Sequence, residues 1–115
     1  MDHVCLVFPI LPGKTEHTRT FQRDLDTTRK AEYALSEGRL GIPREYWYIA
    51  ELPTGDLLIG VFDAPDANAT IGAFVQSQDA FDLWFKDQVR IATGVDLNNP
   101  PADMKLPELV STFEA

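Results

Sequence analysis

The sequence has few of the residues that build metal centres and covalent catalytic sites. Cys5 is the only cysteine, which excludes a disulfide within the chain, and His3 and His17 are the only histidines. The two histidines are not at a short ligand spacing, and a site made from His3 and Cys5 would need further ligands from elsewhere in the chain. We therefore predict no metal site. Cys5 lies inside a predicted strand, where a cysteine is usually a small buried hydrophobic residue.

The sequence also has few positively charged residues. Ten lysines and arginines stand against 18 aspartates and glutamates, which gives a formal net charge of −8. Proteins that bind nucleic acid need a positive surface, and so do proteins that dock on anionic lipid. We therefore predict neither a nucleic-acid partner nor a membrane partner, and we interpret the acidity as a contribution to solubility.

Long apolar runs are absent. The apolar segments are short and interrupted, so no segment is predicted to cross a membrane. The N-terminus shows no basic run followed by an apolar stretch, which a secretory signal would require. Together with the single cysteine, this predicts a cytoplasmic protein.

Two familiar catalytic motifs are incomplete. Gly13-Lys14-Thr15 resembles the end of a phosphate-binding loop, but the full motif needs a glycine five residues before Gly13, where this chain has Phe8. We interpret these residues as the turn from a strand to a helix. No nucleophile-elbow sequence is present, and no serine has a histidine beside it in the sequence.

The pattern of apolar residues predicts one domain, residues 1–115, with several strands. A length of 115 residues with a hydrophobic fraction of 44 % is typical of a single globular domain. Residues 3–11 are dense in β-branched and aromatic side chains, and 44–62 read as a hairpin with a turn at Pro53-Thr54-Gly55-Asp56. A short last strand is predicted over 108–113.

Two helical regions separate these strands. The first is predicted over 15–37, with Thr15 as N-cap and Gly38 as the C-terminal stop. The second is predicted in two parts, 67–76 and 77–93, with a bend between them. The inner stripe of the first region is predicted to be Phe21, Leu25, Thr28, Ala31 and Leu35. The core stripe of the second region is predicted to be Phe81, Trp84 and Phe85.

The resulting element order is β-α-β-β-α-β. It predicts an α+β ferredoxin-like sandwich, in which a four-stranded antiparallel sheet carries two helices on one face. Side chains alternate along a strand, so in the first strand Val4, Leu6 and Phe8 are predicted to face the helices. His3, Cys5 and Val7 are predicted to face outward. The outward face is too apolar to stay in water, which predicts a homodimer.

Several short motifs resemble those of known proteins with this element order. The Pro-Gly-Lys-Thr turn at 12–15 resembles the start of many dimeric α+β barrel proteins. Longer stretches resemble an uncharacterised bacterial family of small ferredoxin-like proteins. They are Tyr33-x-x-Ser36-x-x-Arg39-Leu40-Gly41-Ile42, Arg44-Glu45-x-Trp47, Ser77-x-Asp79-x-Phe81-Asp82-x-Trp84-Phe85 and Thr93-Gly94-Val95-Asp96-Leu97.

The resemblance implies a dimeric α+β barrel over the whole chain, but it implies no activity, because that bacterial family has none established. More distant members of the superfamily are cofactor-independent monooxygenases of the antibiotic-biosynthesis type, muconolactone-isomerase-like enzymes and haem-binding or haem-degrading proteins. Several of the haem proteins hold the iron with a histidine of the second helix. Residues 66–93 contain no histidine here, so haem is not expected, and we predict no cofactor.

The candidate ligand site is built on three consecutive aromatic residues. Tyr46 and Tyr48 must point to one face of the sheet and Trp47 to the other. We predict a mostly apolar cavity between the sheet and its coverings, with a few polar groups at its mouth. The candidate ligand-binding residues are Tyr33, Arg39, Tyr46, Trp47, Tyr48 and Trp84.

His17, at the start of the first helix, is the candidate catalytic acid or base. Either His17 or Arg39 is expected to hold the polar head of a ligand. The alternative interpretation is purely structural. In it Tyr33 and Trp47 belong to the core, and Arg39 forms a surface ion pair with Glu45.

Two functions remain open at this point. The first is a homodimeric barrel that binds an apolar or amphipathic molecule such as an acyl chain or an aromatic acid. As an enzyme it would be a cofactor-independent monooxygenase or isomerase. The second is a non-catalytic dimerisation or protein-interaction module whose barrel is filled by side chains. A cavity distinguishes the two, and the sequence leaves open whether the protein is an enzyme.

Overall fold

The computed structural model describes residues 1–115 and contains one sheet and four helices. The strands are β1 (Asp2–Pro9), β2 (Arg44–Leu52) and β3 (Gly55–Ala64). The helices are α1 (Thr15–Asp26), α2 (Lys30–Leu40), α3 (Ala67–Gln76) and α4 (Ala80–Thr93). None of the helices is both long enough and apolar enough to cross a membrane.

The sheet is antiparallel with strand order β1-β3-β2. The predicted hairpin is confirmed as β2 and β3, which pair from Arg44 with Asp63 to Leu52 with Gly55. Gly55 occupies a positive φ of 136°, a conformation that side chains disfavour, at the point where the chain reverses. The long central strand β3 therefore pairs with a neighbour on each side.

The two faces of the sheet have different surroundings, as the alternation predicts. Val4 and Phe8 are buried against the helices, together with Leu58 and Phe62 of β3. Val7 on the other side of β1 stays 40 % exposed. The helices therefore cover the face that carries Val4 and Phe8, and the opposite face of the sheet is open.

The fourth strand of the predicted sandwich is not confirmed. Residues 108–113 form no strand, and none of the backbone hydrogen bonds outside the regular elements reaches this segment. Leu109, Val110 and Phe113 are 70 %, 81 % and 89 % exposed. The apolar side chains of this segment pack against nothing that would hold a strand in place, so a pattern of apolar residues alone did not suffice to form one.

The first predicted helix is two helices, which corrects the single span 15–37. Helix α1 ends at Asp26, and Thr27 leaves the helical region with φ −127° and ψ −92°. The hydroxyl of Thr27 donates to the carbonyl of Arg23 at 2.8 Å, a local bond that competes with the helix ladder. Helix α2 then continues to Leu40, beyond Gly38, and Gly41 with φ 72° ends it.

This break changes the inner face of the helical region. Phe21 and Leu25 are buried as predicted, but Thr28, Ala31 and Leu35 are exposed, Leu35 to 67 %. In α2 the buried residue is Ser36. After the break at residues 27–29, Tyr33, Ser36 and Glu37 are the residues within 33–37 that face the interior.

The second helical region is broken as predicted. Asp66 caps α3 by accepting from the amide of Ala69 at 3.1 Å, and Asp79 caps α4 by accepting from the amide of Phe81 at 3.0 Å. Gly94, with φ 80°, ends α4. Because each half has its own cap, the bend between them is fixed by local chemistry.

An aromatic cluster forms the core between the helices and the sheet. Phe85 lies at its centre, with ring centroids 5.2 Å from Phe21, 5.7 Å from Phe74 and 5.7 Å from Trp47. Phe81 and Phe85 are buried, and Trp84 packs on Phe21 at 5.7 Å. The predicted core stripe of the second helical region is therefore confirmed.

Trp47 lies flat against the backbone of Gly60, its partner on β3. A Cβ built at Gly60 would come within 2.6 Å of a ring carbon of Trp47. Gly60→Ala is therefore expected to displace the ring and lower the free energy of unfolding by about 1–3 kcal/mol. Urea denaturation measures this.

The matched control for that change is Gly72→Ala in α3. An added Cβ meets no atom within 4 Å there, and alanine favours a helix over glycine by about 1 kcal/mol. We expect this variant to be as stable as the parent chain or more so. An equal loss of stability in both variants would contradict the role assigned to Gly60.

Candidate functional site

A cavity of about 280 Å³ lies between the sheet and the helices. Its floor comes from β1, β2 and β3, its walls from α2, α3 and α4, and its remaining side from the chain that follows α4. Fifteen of the 21 residues around it are hydrophobic. The volume is close to the lower end of small-molecule sites, roughly 300–1,000 Å³. The cavity therefore has room for a ligand of one or two rings.

Three ionisable side chains line the cavity, and all three are acids. Tyr33 and Glu37 come from α2. Glu45 is the second residue of β2 and lies on the strand face that points toward the helices. The hydroxyl of Tyr33 donates to Oε2 of Glu45 at 2.5 Å, and Nε1 of Trp47 donates to the same oxygen at 3.0 Å. No lysine, arginine or histidine lines the cavity.

The environment raises the pKa of each of these groups. Burial is the main cause for Glu37, whose pKa rises from 4.5 to about 9, and the negative charges of Glu45 and Asp82 add to it. Burial also raises the pKa of Glu45, although the hydrogen bonds from Tyr33 and Trp47 oppose that rise. Burial, followed by the charge of Glu45, raises the pKa of Tyr33. At neutral pH Glu37 therefore holds a proton that an exposed carboxyl would have released.

A polar network behind the cavity holds α2 in place. The carboxylate of Asp82, only 1 % exposed, accepts from the hydroxyl of Ser36 at 2.5 Å and from that of Ser77 at 2.6 Å. Arg39 completes the network, with Nη2 3.4 Å from Asp82 and 2.9 Å from Asp79. Because Ser36 precedes Glu37 directly, this network fixes the turn of α2 that carries Glu37.

Lys86 is fully buried and closes the end of α3. Its ammonium group donates to the carbonyls of Phe74, Val75 and Ser77 at 2.9, 3.1 and 2.9 Å. Burial lowers the pKa of Lys86, and the nearby charge of Asp82 opposes that change. The last carbonyls of α3, which have no partner within the helix, are thus satisfied by a cation.

The structure brings two of the sequence-predicted site residues into the cavity. Tyr33 and Trp47 line it and meet at Glu45. Arg39 does not line it, because its guanidinium is engaged by Asp79 and Asp82. The alternative ion pair between Arg39 and Glu45 is therefore not formed.

The other predicted site residues lie elsewhere. Tyr46 and Tyr48 are on the open face of the sheet and are 57 % exposed each. Trp84 stacks beneath the guanidinium of Arg29, whose carbon lies 4.1 Å from the ring centroid, and does not line the cavity. His17 is partly buried on α1, outside the cavity, and its Nε2 has no hydrogen-bond partner.

Sequence reasoning missed Glu37 and Glu45 as site residues. One signal was available for Glu45, because it shares a strand face with Trp47, a predicted ligand-binding residue two positions away. No comparable signal existed for Glu37. Its position depends on the break at residues 27–29, which the helical periodicity conceals.

The fold is shared with a protein of known structure. The chain is similar to tetracenomycin F2 cyclase from Streptomyces glaucescens, a type-II polyketide cyclase, with a TM-score of 0.60 over 100 % of this chain and 99 % of that one. The two sequences are 15 % identical. No protein-family model matches this sequence, and no curated protein matches it. The class shown is therefore an α+β fold of the kind found in that cyclase.

The raised pKa of Glu37 predicts a specific dependence of stability on pH. The unfolded chain ionises this carboxyl near pH 4.5 and the folded protein only near pH 9, so its contribution disfavours the folded state increasingly as pH rises between those values. Glu37→Gln is expected to remove this penalty. At pH 8 we expect a gain on the order of 1 kcal/mol, or roughly 4 °C in Tm, and at pH 4 no gain.

Thermal unfolding of the variant across this pH range measures the effect. Glu32→Gln, an exposed change on the same helix, is the matched control and is expected to shift Tm little at any pH. A gain for Glu37→Gln that is equal at pH 4 and pH 8 would show that folding does not shift the pKa of Glu37, and would contradict this prediction.

Proposed function

We propose that this protein binds a small apolar or amphipathic molecule in the cavity and transfers a proton on it without a cofactor, with Glu45 as the proton acceptor. The observation that carries the proposal is a carboxyl group set into an apolar cavity and aimed by two hydrogen bonds. Such a group is a general base when its pKa approaches the working pH. Burial moves the pKa of Glu45 in that direction.

The likeness to a polyketide cyclase supports a catalytic role for this site. The two chains share a fold over almost their entire lengths, and that protein is a cyclase by name. Fold alone does not carry an activity from one protein to another. The argument for catalysis in this chain therefore rests on Glu45 and its partners, and an isomerase or a cyclase is the class of enzyme that they suit.

We propose further that the chain is one half of a homodimeric α+β barrel in which the open sheet faces meet. The register aligns Cys5, Val61 and Tyr46 across the three strands, and Val7, Ile59 and Tyr48 in a neighbouring row. These two rows form a mainly apolar patch on a face that no helix covers. A second copy would bury it.

The cavity and the open face lie on opposite sides of the sheet. A dimer whose barrel is filled with side chains would therefore leave the cavity intact. The two functions suggested by the sequence are compatible in this arrangement, and the binding experiment and the dimer experiment test separate surfaces.

Ligand binding is tested with prodan, an uncharged naphthyl ketone whose fluorescence rises in apolar surroundings. We expect saturable binding by the parent chain and about tenfold weaker binding by Ile71→Trp, which fills the cavity from α3. The matched control is Ala73→Trp, an exposed change on the same helix. No saturable binding by the parent chain, or equal binding by both variants, would overturn the proposal.

The dimer is tested at Tyr48, in the centre of the apolar patch. Tyr48→Glu places a charge that a second copy would have to bury, so we expect a monomer by light scattering in a concentration range where the parent chain is a dimer. Prodan binding by the variant is expected to be unchanged, since Tyr48 does not line the cavity. A parent chain that is monomeric at all concentrations would overturn the proposed dimer.

A further inference from the structure

The charges around the cavity restrict what it can hold. The ionisable groups facing it are Tyr33, Glu37 and Glu45, and no cationic side chain lines it. An anionic ligand would have to leave water, meet acids and find no counter-charge, which is strongly unfavourable in an apolar site. Arg39, the residue expected from the sequence to hold an acid, is bound by Asp79 and Asp82 instead.

The two carboxyls in the cavity are not equivalent. Glu45 accepts hydrogen bonds from Tyr33 and Trp47, and these bonds favour its ionised form. Glu37 receives no such bond from another side chain, and it faces the negative charges of Glu45 and Asp82. The geometry therefore places the proton on Glu37 and the negative charge on Glu45. The pair presents one hydrogen-bond donor and one base to the same space.

A donor and a base in one apolar cavity match a particular chemical group. A carbonyl oxygen accepts from the donor, and the C–H bond beside that carbonyl is acidic enough to yield its proton to a carboxylate once the oxygen is polarised. We propose, resting on the function above, that the ligand is an uncharged ketone, that Glu45 removes the proton next to its carbonyl group, and that Glu37 donates to the carbonyl oxygen.

The step balances within the cavity. The C–H bond breaks and its proton goes to Glu45, while the electron pair forms a carbon–carbon double bond. The carbonyl π electrons move to the oxygen, which takes the proton of Glu37. The ketone becomes its enol, Glu45 becomes neutral and Glu37 becomes ionised, so the total charge is unchanged. The reverse step returns a proton to carbon, and no oxidant or reductant is required.

The surrounding groups decide how this pair responds to pH. Tyr33 and Glu37 face it from α2 and Asp82 from α4, while the lining residues of β1, β3, α3 and the chain after α4 carry no ionisable group. Proton removal is lost at low pH, when Glu45 gains a proton. Proton removal from the ligand is lost again above about pH 9, when Glu37 loses the proton that it donates to the carbonyl oxygen. A bell-shaped profile follows.

Binding selectivity is tested by displacement of prodan with two bicyclic probes, 2-tetralone and 2-naphthoate. We expect the ketone to displace prodan and the carboxylate to bind at least about tenfold more weakly at pH 7. Equal binding of the two would overturn the inference and leave the proposed binding function standing. Failure of both probes, together with failure of prodan to bind at all, would overturn the proposed function itself.

Proton removal is tested by hydrogen–deuterium exchange of the 2-tetralone C1 protons in D₂O, followed by NMR. We expect acceleration over buffer and a loss on the order of 100-fold in Glu45→Gln, with 2-tetralone still bound. Glu37→Gln keeps a donor but cannot transfer the proton, so its exchange is expected to fall less and to lose the decline above about pH 9.

Two exposed glutamates serve as matched controls for those variants. Glu51→Gln lies on the same strand as Glu45, and Glu32→Gln lies on the same helix as Glu37. Both are expected to exchange 2-tetralone at the parent rate. Exchange that persists in Glu45→Gln, with tetralone bound, would overturn the role of Glu45. A pH profile unchanged in Glu37→Gln would overturn that of Glu37.

Discussion

The burial of two charged residues on α4, Asp82 and Lys86, is the constraint on which the rest of the structure depends. Lys86 satisfies the last carbonyls of α3, and Asp82, one turn earlier on α4, gathers Ser36, Ser77 and Arg39. One helical turn of α4 thereby fixes the end of α3 and the position of α2 relative to α4. Removing Lys86 would leave the carbonyls at the end of α3 without a donor, and removing Asp82 would leave the hydroxyls of Ser36 and Ser77 without their acceptor, and both losses are costly in the interior.

The cavity lies beside that arrangement. Ser36 ties α2 to Asp82 of α4, the hydroxyl of Thr70 on α3 donates to the carbonyl of Leu40 on α2, and the helices so joined enclose a space above Trp47. The same network sets Glu37 on the wall of this space. The acids of the site are destabilising in themselves, since burial favours their uncharged forms, and the packing of Phe85 with its aromatic neighbours offsets them.

Local signals in the sequence predicted much of the fold. The hairpin follows from a strong turn, and the caps at Asp66 and Asp79 mark the break between α3 and α4. The break at Thr27 has no glycine or proline, so periodicity hid it. The residues of the site were harder to predict from the sequence. Tyr33 and Trp47 stood out as aromatic residues. Glu45 was marked only by the strand face it shares with Trp47, and its hydrogen bond from Tyr33, 12 residues earlier on α2, had no signal in the sequence.

One side of the cavity is made by chain without regular structure. Leu97, Pro100, Pro101 and Met104 close it, and outside the turn bonds of Asn99 and Met104 no backbone ladder holds this segment. Substitutions, insertions or deletions here would break no helix or strand. The width of the cavity can therefore change in sequences derived from this one while Glu37 and Glu45 keep their places, so that the proposed proton transfer would be retained while the preferred ligand changes.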